Sequence, residues 1–336
     1  MKKIKIPVEK ATGKILPHDI TEIVPGKFKG PAFKKGHIIR KKDIEHLKKL
    51  GKRNIYLLEL EKDEIHEDEA GKLFKTLAGK NVFARGPSEG KIEFIAKCDG
   101  LAKINSDTVH FINSIGEIVF TTIHSHIPVK KGETIAGIRI VPLAIKKSKV
   151  MKAIKKKKII EVSPFKPRKI GLIVTGSEVA SGKIKDRFRP VIEKKAKLYR
   201  SKICRFKIVG DDEKEIRDEI VKMSASCDFI ILTGGMSVDP DDSTKVAIRR
   251  AGAKVVSYGA PILPGNMFMV AYLKNIPIFG VPACALFYEI TVLDIFLPYV
   301  FSNTKITKEH IIRRGYGGLC RHCRVCVFPA CAFGKI

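Results

Sequence analysis

The chain has 336 residues, of which 44% are hydrophobic, and its 64 Lys and Arg against 35 Asp and Glu give a formal net charge of +29. This length corresponds to two or three domains, and the apolar content excludes a wholly disordered chain. The charge favours an anionic ligand or an acidic partner, but Trp is absent and aromatic residues make up only 7%, which leaves little stacking surface for single-stranded nucleic acid.

Neither the first residues nor the most apolar stretch predicts a membrane location. The opening MKKIKIPVEK lacks the apolar segment of a signal peptide. Residues 276–301 are the most apolar stretch, but they contain Glu289, Asp294 and three prolines. They are therefore predicted to form a buried strand and a core-facing helix rather than a membrane span, and the chain is expected in the cytoplasm.

Residues 1–85 are predicted to form an α+β module. The spacing of Ile44, Leu47 and Leu50 predicts a helix within residues 41–51 that ends at Gly51, and residues 53–60 predict a strand. Residues 86–145 contain short β-like runs separated by turns, so they predict a β-rich module. His124 and His126 would then share one face of a strand.

Residues 146–167 are interpreted as a basic linker. Residues 146–158 contain eight lysines and no acidic residue. A phosphate- or nucleic-acid-binding arm is the alternative interpretation. Because Val150 and Ile154 are four residues apart, a short amphipathic helix is a further alternative.

Residues 168–302 alternate between predicted strands and predicted helices. The strands are predicted at residues 169–174, 205–209, 228–233, 253–257 and 276–279, and the helices at 186–202, 213–226, 242–251, 267–273 and 285–301. This alternation predicts a three-layer α/β domain in which helices cover both faces of a parallel sheet. Ligands of such sheets bind outside the carboxyl ends of the strands.

The turns that follow these predicted strands contain glycines, hydroxyls and carboxylates. Their sequences are TGSE at 175–178, GDD at 210–212, TGGMSVDPDD at 233–242, GAPILPGN at 259–266 and GVPA at 280–283. Glycine turns let backbone N–H groups approach an anionic ligand, and the carboxylates could hold Mg²⁺. Taken one at a time, such turns also simply end strands and cap helices.

In this order and spacing, TGSE, GDD, TGGMSVDPDD and PILPGN resemble the molybdenum-cofactor biosynthesis domain. Molybdopterin adenylyltransferases and molybdopterin molybdotransferases share that domain, and the resemblance covers residues 168–302. It implies an α/β fold that binds molybdopterin at the strand ends, and it implies a homo-oligomer. The implied residues are, for the cofactor, Thr175, Gly176, Ser177, Gly234, Gly235, Ser237, Pro264, Gly265 and Asn266; for catalysis, Glu178, Asp211 and Asp212; and for Mg²⁺, Asp241 and Asp242.

The chain departs from the molybdotransferase pattern at several positions. Ser177 stands where the family tends to have an Asp, Asp239 replaces a glycine, and the later turns lack the lysines of the family. The leading hypothesis is a molybdotransferase-like enzyme that binds molybdopterin or its adenylylated form and uses molybdate, with molybdoenzymes or other proteins of the pathway as partners. The alternative is a non-catalytic carrier or sensor of the cofactor. A nucleic-acid-binding protein is a third hypothesis, but no recognition module is visible.

Residues 303–336 are predicted to be a cysteine-rich tail. Cys320, Cys323, Cys326 and Cys331 have the spacing C-x2-C-x2-C-x4-C, and the first three positions match a ferredoxin-type run. Four thiolates can hold a [4Fe–4S] cluster or a tetrahedral Zn²⁺, and a redox-active tail without metal is the third interpretation. The other cysteines, at positions 98, 204, 227 and 284, are interpreted as reduced core residues.

Overall fold

The computed structural model describes residues 2–236 and 243–336, and the chain divides into two compact units. Unit 1 comprises residues 1–95, 105–123 and 134–160, and unit 2 comprises residues 96–104, 124–133 and 161–336. The division into five segments that the sequence suggests stays a prediction.

The described strands, in chain order, are β1 Lys2–Pro7, β2 Ile20–Val24, β3 Phe28–Phe33, β4 Asn54–Glu59, β5 Glu64–His66, β6 Val82–Ser88, β7 Lys91–Ala96, β8 Gly100–Ile104, β9 Ile118–Thr122, β10 Pro128–Val129, β11 Thr134–Ile140, β12 Ala144–Lys146, β13 Ile160–Pro164, β14 Lys169–Thr175, β15 Lys202–Val209, β16 Phe229–Thr233, β17 Lys254–Tyr258, β18 Met269–Leu273 and β19 Ile276–Val281. The described α-helices are α1 Asp43–Lys49, α2 Glu67–Phe74, α3 Ser106–Ser114, α4 Lys147–Ala153, α5 Ser177–Ala180, α6 Phe188–Lys197, α7 Glu213–Ser224, α8 Thr244–Arg250, α9 Val292–Phe301 and α10 Lys308–Ile312.

Unit 1 contains a four-stranded sheet in the order β6-β7-β11-β9 and three two-stranded pairs, β1 with β4, β2 with β3 and β5 with β12. The helix predicted within residues 41–51 is present as α1, and the strand predicted at 53–60 is present as β4. Leu16, Ile39, Leu47 and Ile55 pack together in the core of its N-terminal part. Gly51 has φ +75°, a backbone conformation that suits the residue after a helix.

One prediction for unit 1 requires correction, and one alternative left open by the sequence is observed. Residues 106–114 form a helix where a β-like run was expected, because the Asn105 side chain accepts a hydrogen bond from the Thr108 N–H at 2.8 Å and caps α3. Thr108 and Ile112, four residues apart, are both buried. Residues 147–153 within the predicted linker form α4, with Val150 and Ala153 buried, so the alternative of a short amphipathic helix is the one observed.

The largest sheet of unit 2 has six strands in the order β15-β14-β16-β19-β18-β17, and a smaller sheet has the order β10-β8-β13. β14 pairs in parallel with β15 and with β16, and β16 pairs in parallel with β19. Alternate residues of β14 point to opposite sides: Ile170, Leu172 and Val174 pack with residues of α6 and α9, whereas Ile173 packs with residues of α7 and α8. The three-layer α/β domain predicted from the sequence is therefore confirmed.

The prediction of a helix at residues 267–273 is wrong, because residues 269–273 form strand β18. This strand pairs antiparallel with β17 and with β19, so the sheet is mixed rather than wholly parallel. Met269, Val270 and Ala271 are consecutive and fully buried, which is typical of a strand covered on both faces. A five-residue apolar run between turns is also shorter than most helices.

The predicted strand and core-facing helix at residues 276–301 are present as β19 and α9. The helix starts later than expected, at Val292, because Thr291 and Asp294 form a reciprocal capping box at its N-terminus. Residues 283–286 instead form a 3₁₀ turn. In the described part of the chain, no helix has both the length and the hydropathy to cross a membrane.

Candidate functional site

The strand order and register of the unit 2 sheet bring the ends of its strands to one edge. Thr175 at the end of β14 is paired with Val209 at the end of β15, and Thr233 at the end of β16 is paired with Val281 at the end of β19. β17 runs in the same direction as β19, because β18 lies antiparallel between them. The turns that follow these strands, which the sequence singled out, therefore meet at this edge, hereafter the carboxyl edge.

Thr175 joins three elements beneath the carboxyl edge. Its side chain is buried, and its hydroxyl donates to the backbone carbonyl of Thr233 at 3.1 Å. The same hydroxyl lies 3.0 Å from the hydroxyl of Thr244 in the first turn of α8. The Thr175 side chain thus fixes the position of the turns, and its hydroxyl is directed into the protein rather than toward the edge.

Gly234 and Gly235 pass so close to neighbouring atoms that a larger residue would not fit. Their φ values are +90° and +54°. A Cβ on Gly234 would lie 2.3 Å from the Thr175 carbonyl oxygen, and one on Gly235 would lie 2.6 Å from the Thr244 hydroxyl. The glycines allow this turn to lie against β14 and α8 at a distance that a side chain would not permit.

Ser177 and Asp211 connect the first turn to the second. The backbone N–H of Ser177 donates to Oδ2 of Asp211 at 2.8 Å, and the Ser177 hydroxyl donates to the same oxygen at 2.7 Å. Glu178, beside Ser177, is exposed. Asp212 is the N-cap of α7, since its Oδ1 accepts from the Glu215 N–H at 2.7 Å. The structure thus places these four residues together and gives Asp212 a capping role as well.

The turn at residues 259–266 is closed by its own backbone and joined to α9. The Ala260 N–H donates to the Asn266 carbonyl at 2.8 Å, and the Val292 N–H donates to the Pro264 carbonyl at 3.1 Å. A Cβ on Gly265, whose φ is +119°, would lie 2.4 Å from a Val292 methyl. The turn leads into β18, whose first residue pairs with Gly280 near the end of β19, so Pro264, Gly265 and Asn266 lie at the carboxyl edge.

Two buried hydroxyls lie at the carboxyl edge: Thr233, which the sequence reasoning included in a strand-end turn without giving it a role, and Ser243, which it missed. The side-chain oxygens of Thr233 and Ser243 are buried and have no hydrogen-bond partner among the described residues. Buried polar atoms ordinarily have a partner in protein, water or ligand. Ser237, Asp241 and Asp242, which the sequence singled out, lie outside the described residues. The positions of the two residues in the sequence could have indicated them, because Thr233 ends a strand and Ser243 precedes a helix.

The thiol nearest to these turns in sequence belongs to Cys284. It lies in the 3₁₀ turn after β19, and burial raises its pKa. A thiol with a raised pKa carries little thiolate at neutral pH.

The described residues contain no group of three or more His, Cys, Asp or Glu side chains arranged to hold a metal ion. The predicted Zn²⁺ and iron–sulfur sites of the tail are therefore not supported by a preformed ligand set, whereas Asp241 and Asp242 of the predicted Mg²⁺ site lie outside the described residues. The four cysteines of the tail nevertheless border one cavity of about 430 Å³.

A buried aromatic cluster in unit 2 was also missed. His126 lies in a turn rather than on a strand, which corrects the shared strand face expected for His124 and His126. Its ring stacks on Tyr299 with centroids 5.3 Å apart and lies 4.8 Å from the His310 ring. Burial, reinforced by the positive charge of Arg314 and Lys103, lowers the pKa of His126 to about 3.

Comparison with known proteins identifies two regions of the chain. Residues 171–301 match a family described as "Probable molybdopterin binding domain", and residues 5–59 match a family described as a domain of unknown function. The molybdopterin molybdenumtransferase of Haemophilus influenzae is 26% identical over 144 residues, which are 39% of this chain and 35% of that protein. A Methanocaldococcus jannaschii protein named for molybdopterin biosynthesis is 26% identical over 259 residues, 70% of this chain and 60% of that protein.

The chain thus spans about a third to three fifths of the length of these relatives. Among solved structures, the tungsten cofactor synthesizing protein MoaB from Pyrococcus furiosus is 20% identical to this chain. The match covers 40% of this chain and 94% of that protein, with a TM-score of 0.33. The family match coincides with the strands and turns that form the carboxyl edge. The chain therefore contains, at residues 171–301, a domain of the molybdenum-cofactor biosynthesis family.

Proposed function

We propose that unit 2 binds molybdopterin, or its adenylylated form, at the carboxyl edge of the sheet. The observation that carries the proposal is the convergence of the turns at 175–178, 210–212, 233–236 and 259–266 on one edge. Glycine-rich turns at strand ends are typical sites for phosphate-bearing ligands. The family match of residues 171–301 supports molybdopterin as the ligand.

The buried hydroxyls of Thr233 and Ser243, which have no partner in the described part of the chain, support a ligand at the same place. Both are buried without a partner among the described residues, and they lie on either side of residues 237–242. A ligand phosphate or a bound water would satisfy them. Since each unsatisfied buried hydroxyl costs about 1–3 kcal/mol, binding that supplies partners would recover part of this energy.

The Ser177–Asp211 contact places a carboxylate next to position 177, where the family tends to have an aspartate. The Asp211 carboxylate lies one hydrogen bond, 2.7 Å, from the Ser177 hydroxyl. We therefore assign to Asp211 the carboxylate function that the family tends to place at the position of Ser177. In this proposal Ser177 positions Asp211, and Oδ1 of Asp211 remains for the ligand or for Mg²⁺, an ion that proteins usually bind through one or two carboxylates.

Calorimetry of the full chain with molybdopterin, with and without Mg²⁺, tests the proposal. In the presence of Mg²⁺, Asp211→Asn is expected to weaken binding about tenfold, equivalent to about 1.4 kcal/mol, because it removes the negative charge that would hold Mg²⁺ against the ligand phosphate. Asp218→Asn is the matched control, since Asp218 is an exposed carboxylate on α7 that accepts a hydrogen bond from its neighbour Arg217. Absence of binding under both conditions would refute the proposal, as would equal weakening by the two variants.

The finer assignment is a molybdotransferase-like activity, and the competing assignment is a carrier or sensor of the cofactor. Ser177 in place of aspartate and the absence of the family's lysines favour the carrier, whereas the proximity of Asp211 to Ser177 favours the enzyme. Incubation with adenylylated molybdopterin and molybdate, followed by measurement of released AMP, separates them. Turnover that Asp211→Asn abolishes and Asp218→Asn preserves would establish the enzyme, and binding without turnover would establish the carrier.

A further inference from the structure

Two cysteines of unit 2, at positions that are distant in sequence, bring their sulfur atoms into contact. The Sγ atoms of Cys204 and Cys227 are 3.3 Å apart, although the residues are 23 positions apart in the chain. The sequence suggested that both are core residues, but Cys204 is exposed on β15, whereas Cys227 is buried two residues before β16. Both are free thiols. The structure thus holds two unbonded thiols in direct contact.

β14 lies between β15 and β16, and the backbone near each cysteine is anchored. Cys204 is the extra residue of a β-bulge in β15, at the point where the register of its pairing with β14 shifts. The Cys227 N–H donates to the Met223 carbonyl at the end of α7 at 2.9 Å. The N–H of the next residue, Asp228, donates to the Lys169 carbonyl of β14 at 2.8 Å. The contact between the thiols therefore follows from the fixed backbone on both sides of β14.

Gly171 of β14 leaves the space in which the two thiols meet. It is paired with Arg205 of β15 on one side and with Ile230 of β16 on the other. A Cβ at this position would lie 3.2 Å from Sγ of Cys227 and 2.9 Å from Sδ of Met223. Because position 171 has no side chain, the Cys227 side chain can lie close against β14 and reach the sulfur atom on β15.

The two thiols differ in exposure, and this difference gives each a separate role. Cys204 is exposed, so a dissolved reagent can reach it. Cys227 is 5% exposed, and burial, together with the hydrogen bond and the charge of the Cys204 sulfur, raises its pKa to about 12. The influence of the Cys204 sulfur decreases once that sulfur is bonded to a reagent. Cys204 is therefore suited to react first, and Cys227 is suited to react second.

We propose that Cys204 and Cys227 form a reversible disulfide by exchange with a small-molecule disulfide. In the first step the Cys204 thiolate attacks one sulfur of the reagent, and a mixed disulfide forms as the S–S bond of the reagent breaks. The released reagent thiolate takes up the proton that Cys204 has lost. In the second step the Cys227 sulfur loses its proton, attacks the Cys204 sulfur and releases the second reagent thiol. The two cysteine sulfurs are oxidised, and the reagent is reduced to two thiols.

The disulfide would close residues 205–226 into a covalent loop that contains the turn at 210–212 and α7. A cross-link of this kind restricts the unfolded chain, so the oxidised protein is expected to melt about 6–12 °C above the reduced protein. Cys204 lies in the first half of β15, and Cys227 precedes β16. The bond would therefore lie at the opposite end of these strands from the carboxyl edge, and the inference does not rest on the proposed function.

The test is incubation of the full-length chain with oxidised glutathione, followed by alkylation of the remaining thiols and tryptic peptide mapping. Trypsin releases Cys204 within residues 203–205 and Cys227 within residues 223–245. The expected product is these two peptides joined by a disulfide, and dithiothreitol is expected to separate them. Molybdopterin takes no part in this measurement, so its outcome is distinguishable from that of the proposed function.

Three variants distinguish an exchanging pair from a packing contact. Cys227→Ala is expected to stop at the first step, with one glutathione bonded to the peptide of residues 203–205. Cys204→Ser is expected to leave Cys227 unmodified and to abolish the rise in melting temperature. Cys284→Ala is the matched control, because it removes another partly buried thiol whose pKa is raised by burial, and it is expected to retain the joined peptides.

Three results would each overturn the proposal. The first is the absence of the joined peptides from the unmodified chain. The second is a product in which Cys204 is bonded mainly to a cysteine other than Cys227. The third is equal loss of the joined peptides in Cys284→Ala and Cys204→Ser.

Discussion

Acidification is predicted to destabilise unit 2 through His126. The His126 ring is stacked on Tyr299, and it faces His310, Arg314 and Lys103, so a proton on this ring would lack water and would lie near positive charge. Its pKa is about 3 in the folded protein and about 6.5 in an unfolded chain. Between these values the unfolded state binds the proton and the folded state does not, so stability is full above about pH 6.5 and falls as the pH decreases toward 3.

The size of the stability loss follows from the difference between the pH and the unfolded-state pKa. At pH 5 the difference of about 1.5 pH units corresponds to a loss of about 2 kcal/mol relative to pH 7. His310, whose pKa is also lowered by burial, adds to the loss in the same direction. His126→Asn removes the His126 contribution, and asparagine tolerates the positive φ of +58° at this position.

Denaturant unfolding at pH 7 and pH 5, followed by circular dichroism, measures this effect. The variant His126→Asn is expected to lose about 2 kcal/mol less than the unmodified chain on acidification, whatever its stability at pH 7. His110→Asn is the control, because His110 is exposed on α3. If His126→Asn and the unmodified chain lose the same stability between the two pH values, the assignment of a buried neutral imidazole is incorrect.

Two further predictions concern packing and charge in unit 2. Gly234→Ala is expected to lower the free energy of unfolding by roughly 2–4 kcal/mol, since the added Cβ meets a backbone oxygen. The control Gly182→Ala, also at positive φ but with open space around the added Cβ, should cost about 1 kcal/mol. Thermal melts that show equal losses for the two variants would contradict this prediction. Lys195→Met is expected to cost about 3–5 kcal/mol because it leaves the Asp294 carboxylate, whose side chain is only 10% exposed and which lies 2.5 Å from the Lys195 ammonium, without its cation. Lys222→Met, which removes an exposed ion pair, should cost at most about 1 kcal/mol, and similar costs for the two lysine variants would refute the distinction.

The turns of the carboxyl edge could be predicted from the sequence because each follows a short apolar run. Strands such as β14 and β16 are buried on both faces and are therefore almost continuously apolar, and the glycines that follow them indicate in the sequence where each strand ends. The direction of β18 could not be predicted in the same way. Five apolar residues between turns fit a strand or a buried helix equally well, and only pairing with β17 and β19 decides between them.

The partners of individual side chains also depended on the tertiary structure. The sequence singled out Thr175, Ser177 and Asp211 as members of one site, but it did not indicate that Thr175 points inward to Thr244 or that Ser177 donates to Asp211. The aromatic cluster around His126 joins residues more than 170 positions apart, such as His126 and Tyr299. No local pattern encodes such a contact.

The sequence by itself determined the three-layer α/β domain, the position of its glycine turns and the spacing of the tail cysteines, because hydrophobic periodicity and turn residues act over a few neighbouring positions. The tertiary structure alone decided that the four tail cysteines border one cavity. It also decided that two hydroxyls at the carboxyl edge are buried without a described partner. Both features depend on how distant segments pack, since burial and cavity shape are set by contacts between them rather than by local sequence.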